Sequence, residues 1–400
     1  MRRALIPAAV LLALTVQVRG QTPDCMSCHG QKAKAKQTGA SIVDSQVLAQ
    51  SVHADLSCRD CHDINCEKRH KDDRTVYCAR CHMEEAKGYN QSQHVRGRKA
   101  GIEKLPTCIT CHGGHDVLPV HDEMARTSHR NSVKLCTSCH EDTTLTEKVA
   151  ELPKPAMVKS YRNSIHGRKL LVEHNLQAPA CVDCHGSHMT LPADSPESPV
   201  YKTRIAETCG KCHDTIAVAY ENSVHGKALA NGVMEAPTCT NCHGEHNIRA
   251  PQDPKSKVYP THVSQTCADC HASPKVVAKY GLKADRIGTF KESFHGAASA
   301  LGDIQVANCA SCHGVHNIYP QEDPRSTINA ANIQKTCGQC HKDLPKDFTK
   351  GQVHTSASSR ESGGAYYVRK FYAWFITIII AAFLLYRVLE YRRRAAKREE

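Results

Sequence analysis

Between its two ends this chain has no long apolar run, and aromatic residues fill only 5% of its 400 positions, with one tryptophan and six phenylalanines. A conventional core of large apolar side chains is therefore out of reach, and another material must fill the interior. Aromatic and basic residues are not interleaved, which argues against a nucleic-acid surface despite a net charge of +12. Methionine, seven in all, recurs at no fixed position, so a repeated thioether ligand to a metal is excluded.

Cysteine and histidine, 23 and 26 of them, are what the chain has instead. Eleven copies of Cys-x-x-Cys-His absorb 22 of the cysteines. They are Cys25, Cys28 and His29; Cys58, Cys61 and His62; Cys78, Cys81 and His82; Cys108, Cys111 and His112; Cys136, Cys139 and His140; Cys181, Cys184 and His185; Cys209, Cys212 and His213; Cys239, Cys242 and His243; Cys267, Cys270 and His271; Cys309, Cys312 and His313; and Cys337, Cys340 and His341. Chance placement of these residues would yield roughly 0.1 copies, whereas the motif is the attachment signature of a c-type haem. Its two thiols add to the haem vinyl groups, and the histidine that follows becomes the proximal iron ligand. Zinc half-sites need no histidine directly after each second cysteine. A disulfide scaffold would leave eleven adjacent histidines without a purpose. The expectation is eleven covalently bound haem c groups. No copy ends in lysine instead of histidine.

The motifs come in pairs. Cys108 to Cys136, Cys181 to Cys209, Cys239 to Cys267 and Cys309 to Cys337 are each 28 residues apart, and Cys58 to Cys78 is shortened to 20. In the four long pairs the first motif continues Gly-x-His, ending at His115, His188, His246 and His316. Upstream of the first motif sits Ser-x-His, at His94, His166, His225 and His295, with His53 before the short pair. The Gly-x-His residues are expected in turns, where glycine relaxes the backbone. Helix-compatible stretches such as 213–230 carry Ser-x-His. With His70 and His354 these make eleven candidate distal ligands: His53, His70, His94, His115, His166, His188, His225, His246, His295, His316 and His354. His354 opens a truncated sixth unit, and His129 is a substitute for it or for His70. His121, His174 and His262 have no counterparts in the repeat, and the odd cysteine, Cys66, is expected to be a free thiol or an intermolecular contact. Two histidines on every iron leave no open position for substrate.

Residues 1–20 read as a secretory signal peptide, with Arg2 and Arg3 before an apolar stretch and small residues near Gly20. The larger units that follow are a three-haem N-terminal module at 21–90, four-haem modules at 91–221 and 222–350, and a linker at 351–365. About 31 residues per haem is too few for an ordinary core, so the haems are expected to form it. A transmembrane helix is expected at 366–389, long enough for the roughly 20 residues a span requires. Tyr366, Tyr367, Tyr372 and Trp374 mark its front edge, and a basic cytoplasmic tail follows at 390–400. This charge bias places the helix in the cytoplasmic membrane, single-pass, with the haem region in the periplasm. No His, Asp or Glu lies between Phe371 and Leu389, so the helix has no b-haem ligand. Each ferric haem with two propionates carries about −1, which would bring the loaded protein near neutrality.

The doubled motifs, with their Ser-x-His and Cys-His-Gly-x-His segments, resemble the multihaem cytochromes c of anaerobic and metal-reducing bacteria. Within them they are similar to the doubled-motif, cytochrome c7-like group of the cytochrome c3 superfamily. The resemblance covers roughly residues 25–354. In some relatives a helix like Tyr367-Val368-Arg369-Lys370-Phe371-Tyr372 leads into a membrane cytochrome b that oxidises quinol. What this implies is a membrane quinol-oxidising partner, a b-type cytochrome. The expected fold is mainly α with extensive irregular loops, built modularly around haems, plus one C-terminal transmembrane helix. The expected function is an electron-transfer wire between that partner and extracytoplasmic acceptors, not an enzyme. The alternative is a multihaem reductase of nitrite, hydroxylamine or a sulfur oxyanion, which needs one iron with a replaceable ligand.

Overall fold

Short helices separated by irregular loops carry the motifs. The computed structural model describes residues 25–33, 41–62, 76–99, 105–146, 155–283, 285–345, 348 and 353–399. The expected signal peptide at 1–20, Cys66 and His70 lie outside the described residues. Among those described there is no strand, and a lone antiparallel bridge joins His62 and Val76. The mainly helical class matches the expectation.

Two compact units divide the chain. One comprises the described residues up to Cys136 together with His188–Thr190, and the other comprises Thr137–Ser187 and everything from Leu191 onward. Apolar burial is sparse in both. Leu170 and Val133 are the largest fully buried apolar side chains, while Ser92, Ser164, Ser198, Ser223 and Ser326 are equally hidden. Buried hydroxyls must be satisfied, and each of these serines lies in a repeated turn.

Serine caps start three of the Ser-x-His helices. Ser164 begins Ile165–Leu171, Ser223 begins Val224–Ala230 and Ser293 begins Phe294–Ala300; each accepts the N–H of the glycine three residues on. The distances are 3.0, 3.2 and 3.2 Å. An N-cap of this kind satisfies one of the orphan donors of the first turn. The same hydroxyl donates backward from Ser164 to the Tyr161 carbonyl at 2.7 Å and from Ser293 to Phe290 at 2.6 Å. Ser92 does so to Tyr89 at 2.6 Å. The glycine after the histidine permits this corner. A methyl at Gly167, Gly226 or Gly296 would collide with the carbonyl of Tyr161, Tyr220 or Phe290.

The tyrosine at the corner ties the helix to the next motif. Tyr89, Tyr161 and Tyr220 donate their hydroxyls to the carbonyls of Pro106, Pro179 and Pro237, at 2.5, 2.7 and 2.8 Å. Each proline stands two residues before a first-motif cysteine. In the last repeat Phe290 takes the tyrosine's place and the tie is missing.

At the far end, Gly364–Glu399 is one continuous helix. Its segment Gly364–Ala395 is long and apolar enough to cross a membrane and is not buried against the rest of the protein. At about 1.5 Å per residue, the stretch 366–389 spans about 36 Å, against a hydrocarbon thickness of about 30 Å.

The corner yields a ranked prediction. Gly226→Ala forces a methyl into the Tyr220 carbonyl and should cost about 1–3 kcal/mol. Ser223→Ala removes only the cap and should cost about 1 kcal/mol. Denaturant melts followed in the haem absorbance should return that order; equal losses would mean the corner is not closely packed.

Candidate metal centres

In the four long pairs the first motif forms a short helix, Cys108–His112, Cys181–His185, Cys239–His243 or Cys309–His313, and closes on a glycine of positive φ. Gly113, Gly186, Gly244 and Gly314 have φ of 89°, 77°, 85° and 84°, which other residues rarely adopt. This turn carries the chain back so that the Gly-x-His histidine leaves the motif it follows. Second motifs are held differently. The threonine before the first cysteine donates to a loop carbonyl: Thr208 to Pro199 at 2.6 Å, Thr266 to Lys257 at 2.7 Å and Thr336 to Thr327 at 2.7 Å.

Among the described residues, nine pairs of imidazoles then face one another. In the first unit these are His53 with His82, His62 with His115 and His112 with His188, with ring centroids 6.0, 6.0 and 5.9 Å apart. In the second they are His166 with His213 at 6.3 Å, His185 with His246 at 5.9 Å and His225 with His271 at 6.2 Å. His243 with His316 at 5.9 Å, His295 with His341 at 6.0 Å and His313 with His354 at 6.2 Å complete the set. Every pair joins a motif histidine to one of the candidate distal histidines. The nine cover all the motif histidines except His29 and His140. His29 has its Nδ1 2.7 Å from the Ser41 carbonyl, and His140 lies close enough to His185 to act on it electrostatically. His94 is placed at the start of helix Gln93–Lys99.

The spacing suits an iron between the rings. Two metal–nitrogen bonds of about 2 Å, each with a ring centre about 1 Å beyond, put the centroids about 6 Å apart. Protonation suits it too. Burial, then the neighbouring His246 and His140, lower the pKa of His185 to about 4. Burial and His271 do the same to His225, also to about 4. Burial lowers His166, His243, His271 and His313 in the same sense. At neutral pH these rings keep the lone pair that a metal needs. No three or more His, Cys, Asp or Glu side chains converge as a single-ion cluster among the described residues. Paired thiols with opposed imidazoles are a donor set for a haem edge and its two axial positions, not for a tetrahedral ion.

A simple rule governs the pairs. A second-motif histidine takes the Ser-x-His residue of its own repeat, as in His166 with His213. A first-motif histidine takes the Gly-x-His residue of the following repeat, as in His185 with His246. A backbone stitch accompanies the crossing. The N–H of the middle residue of Ser-x-His donates to the carbonyl two residues past the next Gly-x-His histidine. It runs from Val52 to Val117, Gln93 to Thr190, Ile165 to Ile248 and Val224 to Ile318, at 2.8–2.9 Å.

Neighbouring sites follow one another in sequence order within each unit. Cys78 lies beside Cys108, Cys209 beside Cys239 and Cys267 beside Cys309. Cys61 is near Cys81, Cys184 near Cys212, Cys242 near Cys270 and Cys312 near Cys340.

Sequence reasoning did not name the serine, tyrosine and glycine of the corner as site-forming residues. Their signal was present as Tyr or Phe three residues before the serine and Gly directly after the histidine. Of the histidines outside the pattern, His262 holds the Ser256 carbonyl 2.8 Å from its Nδ1 and packs on Tyr259. His174 sits at φ 54° in a turn.

Comparison with known proteins adds two weak likenesses. The chain is 28% identical over 151 residues to the cytochrome c-type protein NrfB of Escherichia coli O6:H1, covering 34% of this chain and 64% of that protein. It is 26% identical over 120 residues to the cytochrome c nitrite reductase subunit NrfH of Nitratidesulfovibrio vulgaris, covering 28% of this chain and 66% of that one. The chain thus spans just under two thirds of the length of these curated relatives. No family model matches it. No solved structure matches it significantly.

The pairing rule makes a contrast testable. His246→Ala should leave one iron opposite His185 with an open position, seen as a high-spin ferric signal and carbon monoxide binding to one haem per chain. His262→Ala should leave the spectrum unchanged. A high-spin signal from the second variant, or none from the first, would show that the pairs are not ligand pairs.

Proposed function

We propose that this chain carries eleven haem c groups and works as an electron-transfer wire, passing electrons between a quinol-linked membrane partner and extracytoplasmic acceptors. The observation that carries the reading is the facing of two imidazoles, 5.9–6.3 Å apart, at one motif after another. When bound, haem c supplies reversible one-electron chemistry at its iron. The cysteines at each motif would hold the haem covalently, and the paired histidines would ligate its iron. His70 and His94 remain proposed distal ligands. The cysteine contacts support an order of sites that follows the sequence within each unit. The modules 21–90, 91–221 and 222–350 are retained as the functional blocks.

Membrane attachment fits the same picture. The apolar helix with its aromatic front edge and basic end anchors the chain in the cytoplasmic membrane. The charge bias puts the haem region in the periplasm and the tail in the cytoplasm. Without histidines the helix has no redox group of its own, so quinol oxidation falls to a partner, for which a b-type cytochrome is the proposed class. The names of the two relatives, a cytochrome c-type protein and a cytochrome c nitrite reductase subunit, support a respiratory setting. A reductase activity in this chain itself would need an iron with a single strong ligand, and the paired imidazoles disfavour it.

Intact mass of the mature protein should show eleven haems, and nitrite or hydroxylamine turnover should be absent. Ten or fewer haems would break the motif count, and turnover would restore the reductase reading. Truncation before Tyr366 should give an exported, fully loaded protein that dithionite reduces and membrane quinol does not. Undiminished reduction by quinol would rule out docking through the helix and point to a diffusing carrier.

A further inference from the structure

The repeat ends with a first-motif histidine, His313, that has no following repeat to complete it. Its partner is His354, 6.2 Å away between ring centroids, in the loop that leads to the membrane helix. By sequence spacing His354 resembles the start of a sixth unit, in the Ser-x-His position. In the structure it takes the other role, the one a Gly-x-His histidine plays elsewhere.

The socket it enters is the same. Six residues before His94, at Gly88, a β-carbon would lie 3.6 Å from His188 Cβ and 3.5 Å from Met189 Cβ. Six residues before His295 stands Thr289, buried, with its Oγ1 3.2 Å from His354 Nδ1. That hydroxyl has one proton, and it points to the helix carbonyls of Asp285 and Arg286 at 2.9 and 3.0 Å. The oxygen is left to accept, so the proton of His354 sits on Nδ1 and its Nε2 lone pair is free. Two further bonds hold the loop to the same helix, Arg286–Glu292. Arg286 Nη1 donates to the His354 carbonyl at 3.1 Å, and Ser356 Oγ donates to Glu292 Oε2 at 2.6 Å.

We propose that residues 353–356 are a surrogate for the missing repeat: His354 is the distal ligand at the Cys309–Cys312 site, and Thr289 is the residue that positions it. The inference rests on the ligand-pair reading above. It goes further in tying one site of the wire to the segment proposed to enter the membrane, with a hydroxyl side chain where the His94 helix has a glycine.

The full-length holoprotein tests it. His354→Ala should retain eleven haems by mass and gain one high-spin, carbon-monoxide-binding haem, which added imidazole returns to low spin. Should the alanine variant lose a haem instead, His354→Met decides, since a sulfur–iron charge-transfer band would place residue 354 at the iron. Thr289→Val should keep every haem low-spin but move the reduction potential of one, and Thr289→Ser should restore it. Eleven low-spin haems in the alanine variant, or eleven with no sulfur band in the methionine variant, overturn the proposal. So does a Thr289→Val protein with all potentials unchanged. His246→Ala run in parallel separates the two failures: if it too stays low-spin, the ligand-pair reading fails, and if it alone turns high-spin, only the surrogate does.

Discussion

The described sites turn on bringing a second imidazole to within about 6 Å of a motif histidine, as seen at nine of them. The motif itself can provide only one. The second comes from within the same repeat for second motifs and from the next repeat for first motifs. Consecutive repeats are therefore interlocked through the sites themselves. In most repeat proteins neighbours stack through apolar faces and the interface is an energy term between complete units. Here a unit alone leaves its first site unfinished, and the backbone stitch from Ile165 to Ile248 or Val224 to Ile318 fixes the register at which it is completed.

Such precision normally relies on a packed core, which this chain lacks. What replaces it is a small polar corner used again and again. A buried serine caps the distal-histidine helix, a glycine lets that helix sit against the preceding carbonyl, and a tyrosine hydroxyl fastens the preceding helix to the proline before the next motif. Each is a hydrogen bond worth about 1 kcal/mol net, yet leaving any one of these buried groups unpaired would cost more. That asymmetry makes the corner specific. It sets the position of a histidine without requiring large apolar side chains, and it leaves the broad faces between helices free for haem.

Much of this was legible in the sequence because it is written locally. Cys-x-x-Cys-His, Ser-x-His and Gly-x-His all encode one turn or one cap, and the glycines at 113, 186, 244 and 314 do take the positive φ that the turns require. The long C-terminal helix was equally plain from its composition. The partner of each first-motif histidine was not legible. His112 and His188 belong to different repeats and share no local pattern, so only a folded register joins them. The tyrosine–proline ties escaped for a milder reason: their spacing recurs, but a tyrosine in a polar helix draws attention only when its hydroxyl has a destination.

A linear array must also end, and its two kinds of site end differently. The last second-motif site is closed from within its own repeat, by His295 facing His341. The last first-motif site borrows from beyond the array. Phe290 marks the same boundary: with no tyrosine hydroxyl, the final corner loses its tie to the next motif, and the helix Arg286–Glu292 is held by Arg286 and Glu292 to the pre-membrane loop instead. The chain then needs only about ten residues to reach Gly364, where the apolar helix begins. The contacts that complete the last of the repeated sites thus also fix where the loop to that apolar helix starts. Ten extended residues span at most about 35 Å, so the proposed anchor and the last repeated site would lie within one short tether of each other.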